Sequence, residues 1–182
     1  MMNISRYNVK HQIAEAFHEV SKTKSIEKIT VADIMRTCGM TRQMFYHYFQ
    51  DLDALILWIH VDITEKFANE FFDGTSSMES ATRYLESMLE HKTFYKYILK
   101  KDGPHSFSNF YFNLIEEYII TYFRKYKRHT LTEDELFAVK LFWRGVTAMI
   151  AEWIQNDMKE DPKIISSRMH MCMPPILTQH LL

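Results

Sequence analysis

From Thr41 to Phe49 the chain reads Thr-Arg-Gln-Met-Phe-Tyr-His-Tyr-Phe, a run in which chemistry and helical spacing coincide. Wound at about 100° per residue, Phe45 and Phe49 fall on one side, and Arg42, Gln43, Tyr46 and His47 spread over the other. One side can pack on neighbouring helices while the opposite side offers donors, acceptors and a planar guanidinium. An element entering the major groove of double-stranded DNA needs that division. Arg reads guanine in bidentate fashion and Gln reads adenine, while Tyr and His reach phosphates or base edges. By itself, such a face is also what an ordinary solvated helix presents.

The elements that position this run narrow the choice. Asn8 to Lys22 carries Val9, Ile13, Ala16, Phe17 and Val20 on one helical face. Thr30, with Asp33 three residues later, reads as a helix cap, and Val31, Ile34 and Met35 form the stripe of a short helix ending near Cys38. Gly39 suits the left-handed residue that closes a helix, and Thr41 caps the next one after a single intervening residue. Two short helices joined so tightly cross steeply, as in a helix-turn-helix. Thr30 and Thr41 each open a helix, where free N–H groups and the positive dipole end attract phosphate.

The rest of the chain predicts helices over roughly 51–72, 78–91, 93–100, 106–127, 132–158 and 161–181, with a loop at 73–77 and an interruption at Pro174-Pro175. No strand alternation is present, so the expected fold class is all-α. Only 4 Gly and 4 Pro occur, which argues against a turn-rich β architecture. The net charge of -1 does not by itself favour a nucleic-acid partner. Residues 1–50, however, hold seven Lys or Arg against four acids, a local balance of +3. Cys38 and Cys172 match no paired metal or disulfide spacing, and no signal peptide or apolar membrane span is visible, so a cytoplasmic protein is expected. No phosphate loop, His-Glu-x-x-His or serine elbow is found, so neither catalysis nor a cofactor is expected.

Ile13-Ala14-Glu15-Ala16-Phe17, Ile29-Thr30-Val31-Ala32-Asp33-Ile34, Cys38-Gly39-Met40-Thr41 and Phe45-Tyr46-His47-Tyr48-Phe49, in that order and spacing, resemble the TetR family of bacterial regulators. The signature covers roughly residues 9–55. The resemblance implies a DNA-binding domain over 1–55 and an all-helical effector-sensing and dimerisation domain over 56–182. It implies that Thr30 touches phosphate, that Arg42, Gln43 and Met44 face bases, and that Tyr46, His47 and Tyr48 meet the backbone and adjacent base edges. The chain departs from the pattern at Gln50-Asp51-Leu52-Asp53, where the family commonly carries a lysine. Leu52 cannot make that phosphate contact, and the two aspartates repel the backbone. Arg42-Gln43, Phe45-Tyr46, Phe49-Gln50-Asp51, Phe94-Tyr95-Lys96-Tyr97 and Trp153-Ile154 are similar to the subgroup containing regulators of dihydroxyacetone kinase operons.

The expected function is therefore a regulator, a repressor rather than an activator, binding a palindrome as a homodimer and responding to a small-molecule effector. The alternative is a helical interaction module without sequence-specific DNA binding, for which Leu52 and the near-neutral charge argue. Residues 132–158 are apolar nearly all round, which requires burial on both sides or a partner helix from a second copy. Gly145, Ala148 and Ala151 permit close approach of such a helix. The resemblance places the dimer on the last two long helices, adding Met149, Trp153, Met169 and Met173. It also raises an effector pocket, for which Tyr95, Tyr97, Phe107, Phe110, Tyr111 and Trp143 are candidates, although aromatics at helical spacing equally form ordinary core. Met169-His170-Met171-Cys172-Met173 offers soft ligands, but a helix separates His170 and Met171 from the rest, so no metal site is expected.

Overall fold

The computed structural model describes residues 4–72, 77–100 and 107–181, with side chains left aside at 4–7, 72, 77, 107–111 and 180–181. Every regular element among the described residues is helical: α1 (Ile4–Ser21), a 3-10 turn at Ile26–Lys28, α2 (Val31–Thr37), α3 (Arg42–Tyr48), α4 (Leu52–Phe72), α5 (Ser77–Glu90), α6 (Lys92–Leu99), α7 (Phe107–Tyr126), α8 (Glu133–Gln155), α9 (Pro162–Met171) and α10 (Pro175–Leu181). The all-α expectation holds. The predicted loop at 73–77 lies outside the described residues except for Ser77, which opens α5. The span 161–181 is interrupted where Pro174-Pro175 was expected to break it, into α9 and α10, because a proline ring cannot continue the hydrogen-bond ladder.

The chain divides into two compact units, Met1–Ile63 and Thr64–Leu182, with the division inside α4. In the first, α1 packs on α2 and α2 on α3. Its core consists of Ile13 and Phe17 from α1, Ile34 and Met35 from α2, Phe45 and Phe49 at α3, and Leu55 and Ile59 from α4. Phe49 lies 5.6 Å from Phe45 and 5.9 Å from Trp58, centroid to centroid, and the Lys10 ammonium sits 5.3 Å above the Phe49 ring. α4 is capped by Asp51, whose Oδ1 accepts the Ala54 N–H at 2.8 Å. The Asp51 carboxylate thus starts a helix besides carrying its charge.

His60 of α4 is buried, and desolvation pushes its imidazole down to about 4, so the folded chain holds it neutral. Between pH 6.5 and 4 the unfolded chain takes up a proton that the folded chain refuses, so stability falls as pH drops through that window. The loss attributable to this side chain should reach about 3 kcal/mol. Urea midpoints across pH 7.5 to 4.5 for wild type and His60→Leu check it, since the difference between the two curves isolates the imidazole.

In the second unit α5 packs on α9, and α8 packs on both α6 and α7. α8 begins with a reciprocal capping box, the Thr132 hydroxyl accepting the Glu135 N–H and the Glu135 carboxylate accepting the Thr132 N–H. Val139, Val146, Ile150 and Ile154 of α8 are buried inside the unit. The opposite side carries Phe137 (68% exposed), Leu141 (62%) and Met149 (55%). The expectation of burial on both sides is thus met on one side only within a single chain. Among the described residues no helix is long and apolar enough to cross a membrane.

Candidate nucleic-acid interface

α2 and α3 are short, and their ends rather than their lengths define them. The Thr30 hydroxyl accepts the Asp33 N–H, while Asp33 Oδ2 accepts the Thr30 N–H at 3.0 Å and its hydroxyl at 2.7 Å. Lys24 and Arg36 close on the same carboxylate, and the Lys24 ammonium, followed by the Thr30 hydrogen bonds, holds Asp33 well below the usual carboxylate range. α2 ends at Cys38, after which Gly39 takes φ +68°. The Met40 N–H bonds Met35 O at 2.8 Å and the Gly39 N–H bonds Arg36 O at 3.3 Å, the paired closure of a Schellman motif. Only a residue free of Cβ strain turns the chain this way cheaply. Thr41 then caps α3 by accepting the Met44 N–H at 3.2 Å.

The result is a seven-residue helix with two unlike sides. Phe45 is fully buried and Phe49 nearly so, anchoring α3 to α1 and α4. Arg42, Gln43, Met44, Tyr46 and His47 are all exposed, Tyr46 by 59%. Tyr48 is half-buried and meets His47 edge to face at 5.0 Å. Thr30 and Thr41 are exposed at their helix starts, but the Thr30 hydroxyl and N–H are both engaged by Asp33. Beside this cap stand Lys24 and the 78%-exposed Arg36 side chain, both paired with Asp33, two residues that sequence reasoning counted only as charge. For Arg36 the signal was its spacing of three from Asp33, which places the two on one turn; for Lys24, nine residues away, there was none.

In the second unit a cavity of about 60 Å³ lies between α4, α5, α7, α8 and α9. Of the expected aromatics, Trp143 lines it. Tyr95 does not; it is fully buried in ordinary core beside Phe94, at 5.4 Å between ring centroids. Tyr97 is half-buried and away from this cavity, and the side chains of Phe107, Phe110 and Tyr111 lie outside the described residues. Missed from the sequence were Thr64, Phe67, Phe71, Ser80 and Tyr84. A second, open groove of about 1020 Å³ runs along α8 and α9, where Gly145, Met149, Trp153 and Met169 line it together with Leu141 and Cys172. Trp153 is itself buried, its indole donating to Glu160 O at 2.9 Å, so it forms the floor rather than the rim. Ala148 is exposed, Ala151 and Met173 half-buried. Among the described residues no group of three or more His, Cys, Asp or Glu is placed to hold a metal ion.

Residues 75–174 match the family profile described as a transcriptional regulator C-terminal region. The chain is 26% identical over 147 residues to the HTH-type dhaKLM operon transcriptional activator DhaS of Lactococcus lactis, covering 78% of this chain and 77% of that one. Among solved structures it is similar to a dihydroxyacetone kinase operon activator DhaS, with a TM-score of 0.62, 23% identity and coverage of 94% and 95%. It is also similar to the TetR family repressor AlkX from a Dietzia species, with a TM-score of 0.61, 15% identity and coverage of 95% and 97%. A third is Thermus thermophilus FadR, a TetR family repressor in complex with lauroyl-CoA, at a TM-score of 0.55, 14% identity and 95% coverage of both chains.

Proposed function

The chain belongs to the TetR family of transcriptional regulators, and from that premise we propose that it binds a palindromic operator as a homodimer and that a small molecule held in its C-terminal unit modulates this binding. Residues 1–55 serve as the DNA-binding domain and 56–182 as the sensing and dimerisation domain, acting in the cytoplasm. The observation that carries the reading is the two-sided α3, with Phe45 and Phe49 inward and Arg42, Gln43, Met44, Tyr46 and His47 outward. Arg42 and Gln43 sit at the start of α3, the end of a recognition helix that meets base edges, with Met44 beside them. Tyr46, His47 and Tyr48 then contact the flanking backbone and adjacent base edges, and the α2 and α3 starts at Thr30 and Thr41 contact phosphate.

Binding to duplex DNA from the gene's own upstream region, measured over a salt series, tests this. A specific regulator binds that duplex on the order of 10³-fold or more tighter than a random one, and log K falls steeply with log salt. Equal, weak binding to both duplexes would leave an interaction module. The sign of regulation follows from where the operator lies relative to the promoter. The Lactococcus relative is by name an activator, so it lends no support to the repressor expectation.

The dimer reading is supported by the apolar strip of α8 that one chain leaves uncovered, Leu141 and Met149 beside Gly145 and Ala148. A two-fold pairing there covers the strip, and a palindromic operator offers a two-fold protein two half-sites about one duplex turn apart. Sedimentation should report about twice the 21.9 kDa chain mass, and Met149→Glu should shift it toward the monomer. A wild-type monomer at micromolar concentration overturns the pairing.

A further inference from the structure

In the first unit the large apolar side chains left exposed among the described residues are Met44 (40%) and Tyr46 (59%), and both stand on α3. Tyr46 has a hydroxyl for a phosphate or base edge, and its ring meets Phe45 edge to face. Met44 has no donor and only a thioether as a weak acceptor, so hydrogen bonding gives it little use on a duplex. Its backbone is nevertheless fixed at the end of α3 that the regulator reading sends to base edges. The Met44 N–H bonds the Thr41 carbonyl at 3.1 Å and the Thr41 hydroxyl at 3.2 Å, which holds the residue in the first turn. Helical side chains lean toward the N-terminus, so Met44 extends toward the end that carries Arg42 and Gln43. At about 100° per residue Gln43 and His47 take the middle of the outward side, with Tyr46 on one flank and Met44 on the other. The apolar flank therefore adjoins Gln43, whose side-chain amide suits adenine.

The major groove offers such a side chain few partners. Guanine presents two acceptors there, cytosine an amino donor and adenine one of each, whereas thymine adds a C5 methyl group. Phosphate oxygens are met by charged and polar side chains or by N–H groups, not by a thioalkyl chain. An A·T pair combines two features on one edge, the adenine N6 and N7 for an amide and the thymine methyl for an apolar contact. A thioalkyl chain pressed on a methyl removes water from both, and being unbranched it adapts to the gap. We infer that Met44 packs on a thymine methyl, in the A·T pair that Gln43 reads or in a pair next to it, so that each operator half-site depends on a methyl group. This rests on the regulator reading of α3 and adds the base feature that its apolar flank selects.

The test uses the full-length protein and the operator duplex delimited by footprinting on the gene's own upstream DNA. Each thymine of the half-site, on either strand, is replaced in turn by deoxyuridine at both symmetry-related positions. Deoxyuridine pairs as thymine does and lacks only the methyl. One such replacement should weaken wild-type binding about tenfold, which is about 1.4 kcal/mol over the two half-sites. Met44→Ala should bind the parent duplex about tenfold more weakly, and the same replacement should then cost it less than about twofold. Met44→Leu keeps an apolar side chain and should stay sensitive to the replacement. Met44→Gln, nearly equal in length but polar, should be as insensitive as Met44→Ala and takes its place if the alanine variant loses helicity. Losses on replacement that are equal in wild type and both insensitive variants overturn the methyl contact. A wild-type protein that prefers its operator yet tolerates every deoxyuridine loses the methyl contact and keeps the regulator reading. One that binds operator and random duplex alike loses both.

Discussion

Arg42→Ala and Tyr46→Ala should each lose operator binding while the protein keeps its helicity and nearly all of its thermal stability. Both side chains project from the exposed side of α3, where truncation removes little packing. A lost base-reading contact costs about 1–3 kcal/mol. In a two-fold complex each substitution occurs twice, so the loss becomes about 2–6 kcal/mol, roughly 30-fold to 10⁴-fold in affinity. The two differ in what else they touch. Arg42 should leave the melting midpoint unchanged, as surface substitutions do within about 0.5 kcal/mol. Tyr46 sits edge to face on Phe45 with ring centroids 5.5 Å apart, so its truncation lowers stability by at most the value of one aromatic pair, about 0.5–1.5 kcal/mol. Electrophoretic mobility shift and circular dichroism on the same preparations check both halves. Unchanged operator affinity in either variant removes that residue from the interface.

The parts legible in the sequence were those specified locally. The Thr30–Asp33 box, the left-handed Gly39, the Thr41 cap and the inward Phe45 and Phe49 each depend on residues within one or two turns, so spacing alone places them. What depended on packing between distant helices was not legible. Composition shows α8 to be apolar almost all round, yet only the packing of α6 and α7 decides that Val139 and Ile150 point inward and Leu141 and Met149 outward. The cavity is the extreme case. Tyr95 and Trp143 look equivalent as aromatic candidates, but Tyr95 fills core beside Phe94 while Trp143 borders open space. The hydroxyl-bearing residues Thr64, Ser80 and Tyr84 that join Trp143 lie 59 to 79 residues away in sequence, and no period in the chain connects them. Asp51 shows a subtler loss. Judged by charge it opposes phosphate, and that reading missed that the same charged carboxylate accepts the Ala54 N–H at a helix start.

Phe45→Ala should cost about 3–5 kcal/mol, the range for removing a buried phenylalanine and leaving a cavity behind. It lies one residue from Tyr46 and on the opposite side of the same helix, so the two truncations separate reading DNA from holding the reader. Phe45 is fully buried against the core that joins α1, α2 and α4, and its ring also supports Phe49 at 5.6 Å. The first unit ends at Ile63, and a domain of that size has only a small core to draw on. A loss of this size is comparable to the whole stability of many small domains, about 5 kcal/mol at the lower end. Binding and local structure should therefore vanish together: the variant should lose operator affinity along with the helicity of the N-terminal unit, while the C-terminal unit still sediments as a dimer. Phe45→Leu, which keeps most of the apolar volume, should restore both. A Phe45→Ala variant that melts like wild type, or one that stays folded and loses only DNA binding, would mean the ring faces the groove, and the assignment of sides on α3 would have to be reversed.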